Sequence, residues 1–189
     1  MLAAGVHDGL NAEALAIFLV LIETGARPSE ICNLPPERIH LKANVPYITV
    51  DFQEDRVIKT ESSVRDIPLI GVALAVMHRF PNGFPRYRDR EDTLSATLMK
   101  HLRAKKLLPT EAHRVYSTRH SFEKRMLEAG LDYEFRKSIL GHSIDREKYG
   151  DGGSMDWRLE QLKTIELPFD KSIVPAPARG PQQADRAGS

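Results

Sequence analysis

Residues 11–24 read NAEALAIFLVLIET, and the nine residues from Ala14 to Ile22 are apolar without interruption. A helix over this stretch is hydrophobic on every side. Such a helix cannot lie on a surface with one face in water; it has to run through the middle of a domain, with other elements packed around it. Gly25 supplies the stop, because glycine enters the left-handed conformation that ends helices. The run is well short of the roughly 20 residues that span a bilayer, and no other apolar stretch in the chain is longer.

The 189 residues suffice for one domain around such a helix. With 41% hydrophobic and 28% charged residues the chain reads as an ordinary soluble globular protein, and no signal peptide opens it. Cys32 is the single cysteine, which excludes a disulfide framework and cysteine-based zinc sites and fits a reducing, cytoplasmic setting. It lies among apolar neighbours as a small core residue. The net charge of +1 gives no global argument for a nucleic-acid partner, although local basic clusters remain possible.

After Gly25, Pro28 at a first helical position and Glu30 behind it predict a short helix starting at Arg27. Residues 46–52 (PYITVDF), 56–59 (RVIK) and 64–69 (VRDIPL) alternate and are rich in β-branched and aromatic side chains. They predict three strands of a small antiparallel sheet. A helix over 70–80 stops before Pro81, a loop carrying Arg86, Arg88 and Arg90 follows, and a helix spans about 93–107. Ser117 is a good N-cap for a helix ending at Gly130, with Thr118, Phe122, Met126 and Ala129 on its packed face. Asp132 caps another helix, which ends at Gly141. Residues 143–154 are polar and glycine-rich and read as mobile. A last helix fits 155–167, and 174–189 is a tail with nothing to bury. The fold class is mainly α with a small three-stranded antiparallel sheet (α+β).

Two arginines stand where helix electrostatics disfavour them. Arg27 and Arg119 each sit at a helix start, where the partial positive charge of about +0.5 repels cations and attracts anions. A shared anion between them would explain both, and a phosphate fits the forked guanidinium best. Solvation, or pairing with Glu30 and Asp132, is the ordinary explanation, and composition alone favours it.

The order of four short segments adds a resemblance. TGARPSEICNL, IKTESSVRDIPL, YSTRHSFEKRMLEAG and LGHSIDREKYGDG resemble, in sequence order from residue 24 to 150, the signature boxes of tyrosine recombinases, the phage integrase family. The resemblance implies the DNA breaking-rejoining catalytic fold over residues 1–173, and an N-terminal core-binding domain that lies outside this chain. It implies that Arg27 and Arg119 hold the non-bridging oxygens of a scissile DNA phosphate and that His142 hydrogen-bonds the same group. Lys59 would protonate the leaving 5′ oxygen, and Tyr149 would attack phosphorus to leave a 3′-phosphotyrosyl link. No metal or other cofactor is implied. The implied partners are double-stranded DNA at specific recombination sites, three further copies of the protein in a tetramer, and accessory DNA-bending proteins. The implied location is the bacterial cytoplasm, at the nucleoid.

Each role also has an ordinary reading. Lys59 at a strand end suits an edge charge. His142 after Gly141 suits a contact with the last helix carbonyls, and a loop tyrosine such as Tyr149 usually packs one face on its domain. Glu30 is a brace for an arginine or a capping carboxylate. His113, His120 and His142 lack the spacing of a metal site. Tyr116 departs from the family pattern, which has histidine there. A phenol donates and accepts a hydrogen bond but is a poor base near neutral pH. Either Tyr116 hydrogen-bonds at the site or His113, one turn earlier, takes the base role; the spacing to Arg119 favours Tyr116. A type IB topoisomerase, or a DNA-binding module that has lost catalysis, are the alternatives.

Overall fold

The structure, a computed structural model, describes residues 2–50, 64–142 and 153–177. Helix α1 (Ala12–Thr24) is the central element, and every residue from Ala14 to Thr24 is buried. The Asn11 side chain caps its start by accepting from the Ala14 N–H at 3.0 Å. Gly25 ends it at φ 61°, donating its N–H to the Leu21 carbonyl. Around α1 pack α2 (Pro28–Cys32), α3 (Gly71–Arg79), α4 (Glu91–Ala104) and α5 (Ser117–Glu128). Helices α6 (Tyr133–Leu140) and α7 (Met155–Lys163) build a second, smaller apolar cluster with α5 through Phe122, Met126, Phe135, Ile139 and Leu162. No helix of the described residues is long and apolar enough to cross a membrane.

The sheet has three antiparallel strands in the order β1 (Ile39–His40), β2 (Tyr47–Val50) and β3 (Arg65–Pro68). Its first strand is not among those expected from sequence. Two residues give no alternation to read, and their strand character comes from pairing with Tyr47 and Ile48. The expected strand at 56–59 lies outside the described residues, as does most of the expected mobile stretch 143–154. On the inner face stand Ile48, Val50 and Ile67, with Arg65 opposite Val50 in the register. The outer face is polar: Thr49 donates to Asp66 at 2.7 Å and His40 stacks on Tyr47.

Three further expectations are corrected in detail. The loop before α4 contains a 3-10 turn at Pro85–Tyr87, and buried Tyr87 receives a hydrogen bond from Asn11 at 2.8 Å. Ala129 is exposed, because α5 ends one residue before it and the chain turns away. The N-cap of α5 is Tyr116, not Ser117. Tyr116 already has helical backbone angles, and the Ser117 hydroxyl accepts backward from the Arg114 N–H at 3.0 Å. At the other end of the chain Ile173 is buried in the main core and Val174 packs against it.

Candidate active site

The site grows from the end of α1. Gly25 turns the chain, and Arg27 becomes the N-cap of α2 with Pro28 at the first helical position. The Arg27 N–H donates to Glu30 Oε2 at 2.7 Å, and its guanidinium pairs with Glu30 Oε1, also at 2.7 Å. Glu30 is therefore both helix cap and arginine brace, the two readings left open by sequence. A second guanidinium reaches the same carboxylate: Arg65, at the start of β3, donates through Nη2 to Oε2 at 2.9 Å and through Nη1 to Oε1 at 3.2 Å. Burial alone raises the Glu30 pKa. The charge and hydrogen bonds of Arg65, then those of Arg27, outweigh it and hold the carboxyl below its ordinary range.

Arg119 lies in the first turn of α5, yet its side chain is spent elsewhere. Nη1 donates to the Gly25 carbonyl at 2.8 Å, and Nη2 donates to the Leu140 carbonyl at the end of α6. Nη2 also lies 3.0 Å from His142 Nε2. A guanidinium only donates, so Nε2 carries the lone pair and the His142 proton sits on Nδ1. Lys137 Nζ, 3.4 Å from Nδ1, then brings positive charge near rather than a hydrogen bond. Burial, followed by the charges of Arg119 and Lys137, depresses the His142 pKa, so the ring is neutral at neutral pH.

Three charged side chains of the described residues are buried: Glu23, Arg65 and Arg119. Glu23 pairs with Arg125 at 2.8 Å and Arg65 with Glu30. Arg119, only 2% exposed, has no carboxylate partner among the described residues; Asp132 instead caps α6 at the Phe135 N–H. Burial and then the charges of Arg27 and Arg65 push its guanidinium below its ordinary pKa. A buried cation held only by neutral acceptors, two carbonyls and an imidazole nitrogen, favours an anion beside it. Three of its five N–H groups are taken by Gly25, Leu140 and His142, which leaves two to give.

Tyr116 is 41% exposed and meets His120 edge to face at a ring distance of 5.4 Å. With Arg27, Ser29, Ser95, Met99 and Arg114 it lines an open groove of about 380 Å³. His113 does not line that groove; its Nδ1 is 2.8 Å from the Thr110 hydroxyl. Of the six residues singled out by sequence, the structure therefore brings Arg27, Tyr116, Arg119 and His142 into one neighbourhood, while Lys59 and Tyr149 lie outside the described residues. Sequence reading passed over Arg65. Its signal was a charged residue in register with Ile67 on the inward face of a strand.

Comparison with known proteins bears on the family and the fold. The model of the phage integrase family matches residues 2–147. No curated protein matches the chain. Among solved structures, the integrase from mycobacterium phage Brujita is similar with TM-score 0.63 at 16% identity, over 89% of this chain and 58% of that one. XerA recombinase gives 0.50 at 17% identity, over 87% and 60%. The Tn1549 transposon integrase in complex with circular intermediate DNA gives 0.50 at 18%, over 77% and 54%. The chain thus spans less than two thirds of each of these structures, and at such identities the likeness is one of fold. With the family model covering more than half of its length, the chain belongs to the phage integrase family, the tyrosine recombinases.

Proposed function

We propose that this chain is the catalytic domain of a site-specific DNA recombinase that cuts and rejoins strands through a phosphotyrosyl intermediate. The observation that carries the reading is Arg119: a buried guanidinium fixed by backbone carbonyls, with no carboxylate paired to it among the described residues, since nearby Glu30 is engaged by Arg27 and Arg65, and with N–H groups to spare. Arg27 stands near enough for its charge to be felt at both Arg119 and His142. A phosphodiester attacked by oxygen gains negative charge on its equatorial oxygens, and fixed donors aimed there are the strongest catalytic help available.

In this reading Arg27 and Arg119 hold the two non-bridging oxygens, and His142, neutral, offers its remaining N–H. The Tyr149 oxygen forms a bond to phosphorus as the bond from phosphorus to the 5′ oxygen breaks. Lys59 gives the departing oxygen its proton, and the phenol proton leaves toward solvent or a neighbouring acceptor. Religation reverses the step with a 5′ hydroxyl of another strand, so the bond energy is conserved in the covalent link. Tyr116, at the rim, hydrogen-bonds the phosphate or the incoming phenol. The partner is duplex DNA, and strand exchange between two duplexes uses four copies of the protein.

The test can be run before any target site is identified. The protein is incubated with a pool of nicked DNA duplexes of random sequence, and covalent adducts are isolated on a denaturing gel and sequenced. An adduct enriched for one sequence, lost in Tyr149→Phe, is the expected result. No adduct from the wild-type protein on any member of the pool overturns the reading, and an adduct that persists in Tyr149→Phe displaces Tyr149 as nucleophile.

A further inference from the structure

Arg65 is not among the residues that touch the phosphate in the reading above, yet it is a buried cation at the junction of three elements. Its Nη1 and Nη2 grip both oxygens of Glu30 on α2, at 3.2 and 2.9 Å. Its Nε donates to the Ile139 carbonyl in the last turn of α6, at 2.7 Å. The residue itself belongs to β3. One rigid plane therefore ties the sheet to the helix that starts at Arg27 and to the helix that ends just before His142. Gly141 is shaped around it: a Cβ there would stand 2.7 Å from Arg65 Nη1.

Stability alone does not account for this arrangement. Buried ion pairs are seldom better than well-packed apolar groups of the same size, because desolvation offsets the attraction. What the pair does supply is geometry. The terminal torsion of a glutamate is soft, so a lone Arg27–Glu30 contact leaves the carboxylate free to swing. The Arg65 fork fixes both of its oxygens, and the fixed Oε1 then fixes Arg27 Nη1 at 2.7 Å. At its other edge Arg65 holds Ile139, the neighbour of Leu140, whose carbonyl Arg119 caps.

Resting on the proposed recombinase reading, we propose that Arg65 is a positioning residue: through Glu30 and the end of α6 it sets where Arg27 and His142 stand for the phosphate. Lysine keeps the charge but lacks the planar fork, and cannot make the three contacts together. Misplacement of a reacting group by about 1 Å costs up to about a hundredfold in rate.

The experiment compares wild type, Arg65→Lys, Glu30→Gln and the double variant by three readouts. The first is the rate constant and the amplitude of adduct formation at saturating DNA from the selected pool. The second is apparent DNA affinity, and the third is hydrogen exchange of the Gly141 and His142 amides. Arg65→Lys is expected to lower the rate constant about tenfold to a hundredfold, with affinity within about twofold. The Gly141 and His142 amides, bonded to Ser138 and Lys137 carbonyls, are expected to exchange faster while those of α1 do not. The two single variants share the Arg65–Glu30 contacts, while only Arg65→Lys loses the Ile139 carbonyl and only Glu30→Gln weakens the Arg27 brace, so the double variant should lose clearly less than the product of the singles. A drop confined to amplitude, or a double variant whose loss is the product of the singles, identifies a structural lesion and overturns the proposal. If the wild type forms no adduct the recombinase reading fails by itself, and Arg65 is then judged by exchange: unchanged Gly141 and His142 amides in Arg65→Lys overturn it.

Discussion

Gly25 is where the central helix and the anion site meet, and its replacement by alanine tests both at once. Its backbone sits at φ 61°, and a Cβ built there stands 2.4 Å from Phe122 Cδ1 and 3.2 Å from Leu140 Cδ2. The left-handed conformation costs an L residue about 1–2 kcal/mol. Ordinary contact begins at 3.4 Å, so the fully buried Phe122 ring has to retreat by about 1 Å. Forcing a methyl into such packing costs about 1–3 kcal/mol. Gly25→Ala should then lose about 2–5 kcal/mol, or about 4–20 °C in melting temperature for a domain of this size, read by far-ultraviolet circular dichroism. Gly25→Asn separates the two causes. Asparagine tolerates the left-handed region, so it rescues a backbone effect but worsens a contact effect. The contact is expected to dominate, leaving Asn no better than Ala. Since Phe122 and Arg119 share α5 and the Gly25 carbonyl accepts from Arg119, adduct formation should also slow in the molecules that remain folded. A melting temperature within about 2 °C of wild type for Gly25→Ala would mean that neither backbone strain nor the Phe122 contact constrains this position.

Tyr116→His should preserve or raise the rate of adduct formation and shift its pH profile toward the imidazole range; a collapse of the rate would give the phenol a role of its own. Acidification should destabilise the fold in two windows, followed by thermal melting. His142 titrates lower folded than unfolded, so the unfolded chain gains its proton first and stability is lost as pH falls from 6.5 through the depressed value. Glu30, also depressed when folded, contributes stability above 4.5 that is lost as pH falls below it. His142→Gln should make the first window shallower without abolishing it, because burial and the Lys105 charge depress His101 as well, and Glu30→Gln should flatten the second; a variant that leaves its window unchanged would discount that group.

How far the sequence carried these conclusions depended on the range of the interactions involved. The buried helix, its glycine stop and the Asp132 cap of α6 are local matters, and residues within one turn decided them. The two-residue strand β1 and the inward Arg65 depend on partners distant in sequence, Tyr47 and Ile48 for one and Glu30 and Ile139 for the other. Arg119 shows the same division most clearly. Read locally, it is a cation at the wrong end of its helix. In three dimensions its guanidinium leaves that end and caps the Gly25 carbonyl behind α1 and the Leu140 carbonyl closing α6. Each helix C-terminus presents about half a negative charge, so two of them supply roughly the compensation a carboxylate would. Backbone carbonyls, unlike a carboxylate, neither titrate nor swing away, and they occupy only the N–H groups that face them. His142 takes one more N–H, and among the described residues nothing else claims the two that remain, which is the condition for a buried guanidinium to keep its grip on an oxyanion without first releasing a counterion.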